Sequence, residues 1–194
     1  MANKIVALVG PHASGKTMII KQLSSMGINF IPVYTTQNLD TIGTDKDLYH
    51  FMDKTEFFKQ DFIAKFTYKG EYFGILKQDV LNSLHTYPIS LTTLSIAGVK
   101  QLSKFLKGNF ETVYIMCDYV TLVERMLRLG HTNADIKYHL EYAENNNEFD
   151  SWKLTTYVIK NVSDPQVAFN QFLTILGLTQ MIPQDEFNRR IGKA

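Results

Sequence analysis

The chain has 194 residues, enough for one well-buried α/β domain with an inserted subdomain. Its 45% apolar and 20% charged residues are ordinary for a globular chain, and a net charge of +1 excludes a global field that would recruit nucleic acid or an acidic membrane. The single cysteine, Cys117, excludes an internal disulfide and reads as a buried thiol in the apolar run VYIMC.

Taken in chain order, residues 4–9 (KIVALV) predict a strand buried on both faces. Only five apolar residues stand between Lys4 and Gly10, so there is no signal-peptide pattern, and a cytoplasmic location is expected. A helix follows from Gly15 to Met26 and stops at Gly27. NFIPVY (29–34) predicts a second strand, 88–93 a third, 113–117 a fourth and 155–160 a fifth. Helices over 95–106, 119–129, 133–148 and 164–176 fill the gaps, with Thr132 or Asn133 as a cap and Ile136, Leu140 and Ala143 on one face. Alternation of this kind is the pattern of parallel βαβ units, so the fold class is α/β with a parallel five-stranded sheet flanked by helices. Residues 35–87 break the rhythm. Short aromatic strands (LYHFM, DFIAKFTY, EYFGI) around a small helix at 54–60 read as an inserted α+β lobe within one domain spanning 1–177. The core is then 1–34 and 88–177, with a helical lid at 129–148. Residues 178–194 form a C-terminal extension, where the contacts of a homodimer would be sought. No apolar run approaches the roughly 18 residues of a membrane span.

The stretch Gly10-Pro11-His12-Ala13-Ser14-Gly15-Lys16-Thr17 fits G-x-x-x-x-G-K-[ST]. Backbone N–H groups of such a loop wrap a phosphate, and the helix that starts at its end points its positive pole at the same place. The phosphate-binding set is Gly10, His12, Ala13, Ser14, Gly15, Lys16 and Thr17. The His12 imidazole occupies a free x position and is given no role. Lys16 is expected on the β/γ-phosphates, Thr17 on Mg²⁺, and Gly15 leaves room for close approach of the phosphate. A strand before and a helix after are the context the motif requires.

From residue 4 to residue 176 the chain resembles guanylate kinases. The loop matches that family's GPSGxGKS/T. Thr35-Thr36-Gln37-Asn38-Leu39-Asp40 partly matches its TTR-x-x-R, and Leu48-Tyr49-His50-Phe51 its D-Y-x-F, followed by a helix starting Lys54-Thr55-Glu56-Phe57-Phe58. Gly70-Glu71-Tyr72-Phe73-Gly74-Ile75 resembles G-x-Y-Y-G-T. Arg125-Met126-Leu127-Arg128-Leu129-Gly130 resembles the lid entry R-L-x-x-R-G, and Ile136-Lys137-Tyr138-His139-Leu140 the next helix. The last strand ends in Asn161, as in the family, where it lies by the nucleotide base. The resemblance implies ATP as donor, Mg²⁺ as its companion ion, Lys16, Arg125 and Arg128 in catalysis, and an acceptor site at Thr36, Gln37, Tyr49, Phe73 and Thr93.

The acceptor half departs from the family. Its two phosphate-gripping arginines fall on Gln37 and Asp40, and one of its two tyrosines on Phe73. Its guanine-reading glutamate falls on Ala64, its serine or threonine on Ile75, and its D-x-D on Thr93-Leu94-Ser95. Residues 31–74 contain no arginine, whatever the alignment. In the lid, family arginines fall on Leu129 and His139, with Arg128 one residue from the first. Asp118 is a weak carboxylate candidate for assisting the metal. A charged hydrogen bond to phosphate contributes about 1.5–3 kcal/mol, so losing two arginines and a hydroxyl weakens GMP by several orders of magnitude. Two functions follow. One is an ATP-dependent phosphotransferase acting on GMP poorly, or on another phosphorylated small molecule, with ribose 1,5-bisphosphate as a further acceptor. The other is a nucleotide-binding switch or protein-binding module of the same fold without kinase activity. Leu122, Met126 and Leu129 are expected to form the buried stripe of the 119–129 helix, which leaves Arg125 and Arg128 off it; both also read as solvated surface charges. The lobe's aromatic residues read first as a small core, and second as an apolar wall near Tyr49 and Phe73.

Overall fold

In the computed structural model of the chain, residues 3–41 and 43–179 are described. Their elements run β1 (Lys4–Val9), α1 (Lys16–Ser25), β2 (Asn29–Phe30), β3 (Val33–Thr35), β4 (Tyr49–Phe51), α2 (Lys54–Phe57), β5 (Phe62–Tyr68), β6 (Glu71–Leu76) and α3 (Lys77–Thr86). They continue with β7 (Ile89–Thr93), α4 (Ile96–Phe105), β8 (Phe110–Met116), α5 (Tyr119–Arg128), α6 (Asn133–Asn145), β9 (Tyr157–Lys160) and α7 (Pro165–Leu176). A 3-10 stretch at Glu148–Leu154 joins α6 to β9.

Five strands form a parallel sheet in the order β2-β7-β1-β8-β9, flanked by helices. β1 lies at its centre. Successive strand residues point to opposite faces, and both faces of β1 are buried. Ile5, Ala7 and Val9 pack with α4 residues Val99 and Leu102, while Val6 and Leu8 pack with α1 residues Ile19, Ile20 and Leu23 and α7 residues Phe169 and Phe172. That two-sided burial is why KIVALV is continuously apolar.

Four strands form a second sheet, β4-β3-β6-β5. The β5–β6 hairpin turns at Lys69-Gly70, both at positive φ (49° and 76°), the pairing that a two-residue turn of matched twist requires. This sheet shares a core with the first: Ala64, Phe73 and Ile75 pack in the same cluster as Ile5 and Tyr114. Phe57 of α2 stacks on Phe62 of β5 at 4.2 Å and Phe66 on Phe73 at 5.1 Å, whereas Phe51 and Phe58 stay exposed.

Three expectations are corrected. The strand anticipated over 29–34 is two strands in two sheets, because Pro32 has no N–H for a ladder and the chain leaves the first sheet there. A helix not anticipated, α3, follows β6 directly; only Val80 and Ser83 of it are buried, so its apolar period is faint. The helix expected at 54–60 is one turn, Lys54–Phe57, capped by Asp53. The expected extension at 178–194 lies, from residue 180 onward, outside the described residues, as does any homodimer contact carried there. Among the described residues, no helix is long and apolar enough to cross a membrane.

Candidate functional site

The loop between β1 and α1 begins where β1 ends at the centre of the sheet. Gly10 sits at φ 143°, and a Cβ there would lie 2.8 Å from the Ile115 carbonyl oxygen on β8, so only glycine fits. Ala13 takes a left-handed conformation (φ 62°), and Gly15, the N-cap of α1, sits at φ 104°. A Cβ at Gly15 would lie 2.3 Å from Asn161 Nδ2. Asn161 follows β9, where its N–H donates to the Met116 carbonyl (2.7 Å). From that fixed position its buried Nδ2 donates to the Ser14 carbonyl (2.8 Å). In a trans peptide the N–H points opposite to the C=O, so holding Ser14 O toward Asn161 aims the Gly15 N–H the other way.

Arg125 braces the same carbonyl. Its Nη1 donates to Ser14 O (3.1 Å) and Ala13 O (3.4 Å), and its Nη2 to Asn161 O (3.0 Å) and Oδ1 (3.3 Å). The guanidinium therefore lies against the loop backbone. Arg128 is not brought to the loop: its side chain is 80% exposed and pairs with Glu124 at 3.9 Å on its own helix. The expected stripe on α5 holds at Leu122 and Met126, but Leu129 is 54% exposed. The reason is that α5 ends at Arg128, so Leu129 starts the turn to α6. Lys16 Nζ donates to the carbonyls of Gly10 (2.7 Å) and Pro11 (2.8 Å), folding across its own loop. Thr17, half-buried, follows in the first turn of α1. Asp118 caps α5 by accepting the Thr121 N–H at 2.8 Å, which holds its carboxyl below the usual range.

A cleft opens between the loop, the second sheet and the α6 segment. It collects Gly10, His12, Lys16, Tyr49, Thr93 and His139, together with Tyr68, Tyr142 and Glu148. The other anticipated acceptor residues are not among its lining. Thr36 donates its hydroxyl to Glu71 and accepts the Tyr72 N–H (3.0 Å), and Gln37 donates to Thr41 Oγ1 (3.0 Å). Phe73 is buried between Phe66 and Tyr49, because its β6 position faces the shared core. Asn161 lies behind the loop.

Sequence reasoning missed two features of the cleft. Glu148 enters it from the turn after α6, where burial raises its carboxyl above the usual range and Lys16 partly offsets the rise. Nothing local marks that position. The second is a group of three histidines. His12 Nε2 lies 3.2 Å from His131 Nε2, and the His12 ring stacks on His139 with centroids 4.0 Å apart. His131 belongs to the turn between α5 and α6, and His139 to the buried face of α6. Tyr68 Oη on β5 hydrogen-bonds His139 Nδ1. Burial, reinforced by the other histidines and Lys16, pulls the His12 imidazole down to about 2; burial and Lys69 pull His139 down to about 4. Both rings are neutral at neutral pH. The available signal was the histidine at the x position after Gly10-Pro11 and another at an expected lid-arginine position.

No protein-family model matches the chain. Guanylate kinase from Bartonella henselae is 29% identical over 160 residues, covering 79% of this chain and 72% of the relative; that from Bartonella quintana is 27% identical over the same shares. Among solved structures, guanylate kinase from Anaplasma phagocytophilum matches with a TM-score of 0.68 at 17% identity, over 98% of this chain and 96% of that one. Shikimate kinase from Bacteroides thetaiotaomicron matches with a TM-score of 0.51 at 15% identity, over 90% and 99% of the two chains. The chain is similar to guanylate kinases in sequence over most of its length, and its fold is that of these kinase structures.

Proposed function

We propose that this protein is a nucleotide kinase that transfers the γ-phosphoryl group of ATP to a small phosphorylated acceptor. The observation that carries the proposal is the braced loop: Gly10 and Gly15 in conformations that a side chain would obstruct, Ser14 O held by Asn161 and Arg125, and Lys16 lying over the cradle. Phosphoryl transfer needs little covalent work from the protein; it needs two phosphates in line and their charge neutralised. An acceptor phosphate is already ionised at neutral pH, so no general base is required. Lys16 moves from its own carbonyls to the triphosphate. The residues fit Mg²⁺ as the ion accompanying ATP: such an ion takes one or two protein oxygens, with phosphate and water completing its shell, and Thr17 offers its hydroxyl one residue after Lys16. When bound, the ion neutralises phosphate charge.

The acceptor differs from that of an ordinary guanylate kinase. Thr36 is paired with Glu71 on β6, Gln37 with Thr41 in the turn that follows β3, and the first arginine in the chain is Arg125. GMP therefore binds weakly or is replaced by another phosphorylated small molecule, ribose 1,5-bisphosphate included. The same internal pairing favours, as the second reading, a nucleotide-binding switch without turnover. A coupled ADP-release assay separates them. MgATP is offered with GMP, dGMP, other nucleoside monophosphates and ribose 1,5-bisphosphate, with Lys16→Ala as the blank. Turnover on one acceptor, lost in the variant, supports the kinase and names its substrate class. ATP binding without turnover on any acceptor supports the switch.

A further inference from the structure

Among the described residues, three of the chain's five histidines converge from three separate segments at the cleft: the phosphate loop, the α5–α6 turn and α6. One ring nitrogen from each lies within 4.8 Å of the others. We propose that His12, His131 and His139 form a site for a zinc-class divalent transition-metal ion that ties the α6 segment to the phosphate loop.

Geometry supplies the first argument. Two imidazole nitrogens on one tetrahedral zinc, each at about 2.0–2.1 Å from it, lie about 3.3 Å apart. His12 Nε2 and His131 Nε2 are 3.2 Å apart. The third nitrogen, from His139, lies within 4.8 Å of the other two, and binding draws the His139 ring, which lines the same cleft as His12, toward that pair.

His139 also carries an orphaned atom. His139 is 6% exposed, and its Nε2 is buried without a hydrogen-bond partner. A buried polar atom left unpaired costs about 1–3 kcal/mol, so such atoms call for an explanation. The other ring nitrogen gives one. In the tautomer whose Nδ1–H faces Tyr68 Oη, Nε2 carries the lone pair that a metal ion takes. A second nitrogen held by an outer partner is the usual arrangement of a metal-bound histidine. Neutral imidazole is the form that binds a metal ion.

Three histidines leave one position of a tetrahedral ion open. Here it falls at the cleft lined by Lys16 and Glu148. This site is separate from that of the ion that accompanies ATP: imidazole suits zinc, copper or nickel, whereas magnesium takes oxygen donors.

The test uses the full chain, stripped of metal with a chelator and free of nucleotide and Mg²⁺. Zinc chloride is titrated by calorimetry, and the thermal midpoint is followed in parallel. The expected result is one zinc per chain, a raised midpoint, and affinity lower by at least tenfold in both His131→Ala and His12→Ala. Tyr68→Phe loses roughly tenfold, as outer-partner changes do. His50→Ala, on exposed β4, binds as the wild type does. Circular dichroism without metal checks that each variant is folded, and His12→Ala and His131→Ala stand in for one another if either is not. Absence of zinc uptake by the wild type, or affinity within tenfold of wild type in the folded histidine variants, overturns the proposal.

Discussion

Asn161 shows how one buried amide sets the loop. Its Nδ2 holds Ser14 O, while its side-chain and backbone oxygens accept from Arg125. Asn161→Ala leaves Ser14 O and Arg125 short of partners in a buried place, and is expected to destabilise the fold by about 1–3 kcal/mol in denaturant unfolding and to weaken ATP binding with it. Arg128→Ala is expected to change stability by less than about 0.5 kcal/mol, because its pair with Glu124 is exposed. Phe73→Tyr adds the hydroxyl that the resemblance would call for. Phe73 is buried between aromatic rings, so the change costs about 1–3 kcal/mol by overpacking and leaves GMP binding unimproved. At this scale the local motif marked Gly15 and Lys16, whereas Asn161 entered through the resemblance with a place by the base, and its bond to Ser14 O was not foreseen. The sequence did not mark the histidine group. His12, His131 and His139 are brought together only by the topology, and no short-range pattern records that.

The elements were legible where a strong period met a clear stop. β1 with α1, and α7 closed by Gly177, follow from buried runs and breakers. The 29–34 run was misread because apolar continuity outweighed Pro32, whose missing N–H lets the chain pass from one sheet to the other. α3 went unread because it begins without a side-chain cap and buries only Val80 and Ser83. α6 is well specified at its start: Thr132 accepts the Asp135 N–H, and Asp135 accepts the Thr132 N–H in return. Thr132→Ala removes half of that box and is expected to cost about 0.5–2 kcal/mol, read as a lower denaturant midpoint and faster amide exchange in the first turn of 133–145.

At the scale of the molecule, the five-stranded parallel sheet sets the loop at its centre, and the second sheet and α6 close over it. α6 reaches the second sheet through Tyr142, whose hydroxyl donates to Thr67 O (3.2 Å), and through Lys69 and Asp135 at 3.5 Å. We propose that these segments swing toward the loop on ligand binding, as lids of transferases do. Small-angle scattering is then expected to give a smaller radius of gyration with a bisubstrate analogue than without, and identical profiles would count against the swing.

The proposed kinase activity depends on the loop at Gly10 holding a nucleoside triphosphate through Lys16. Calorimetric titration of MgATP into wild type and Lys16→Ala tests that most directly. The expected result is saturable binding of one ATP per wild-type chain and at least a tenfold loss of affinity in the variant. Equal affinity in the two proteins, or no binding by the wild type, would contradict it.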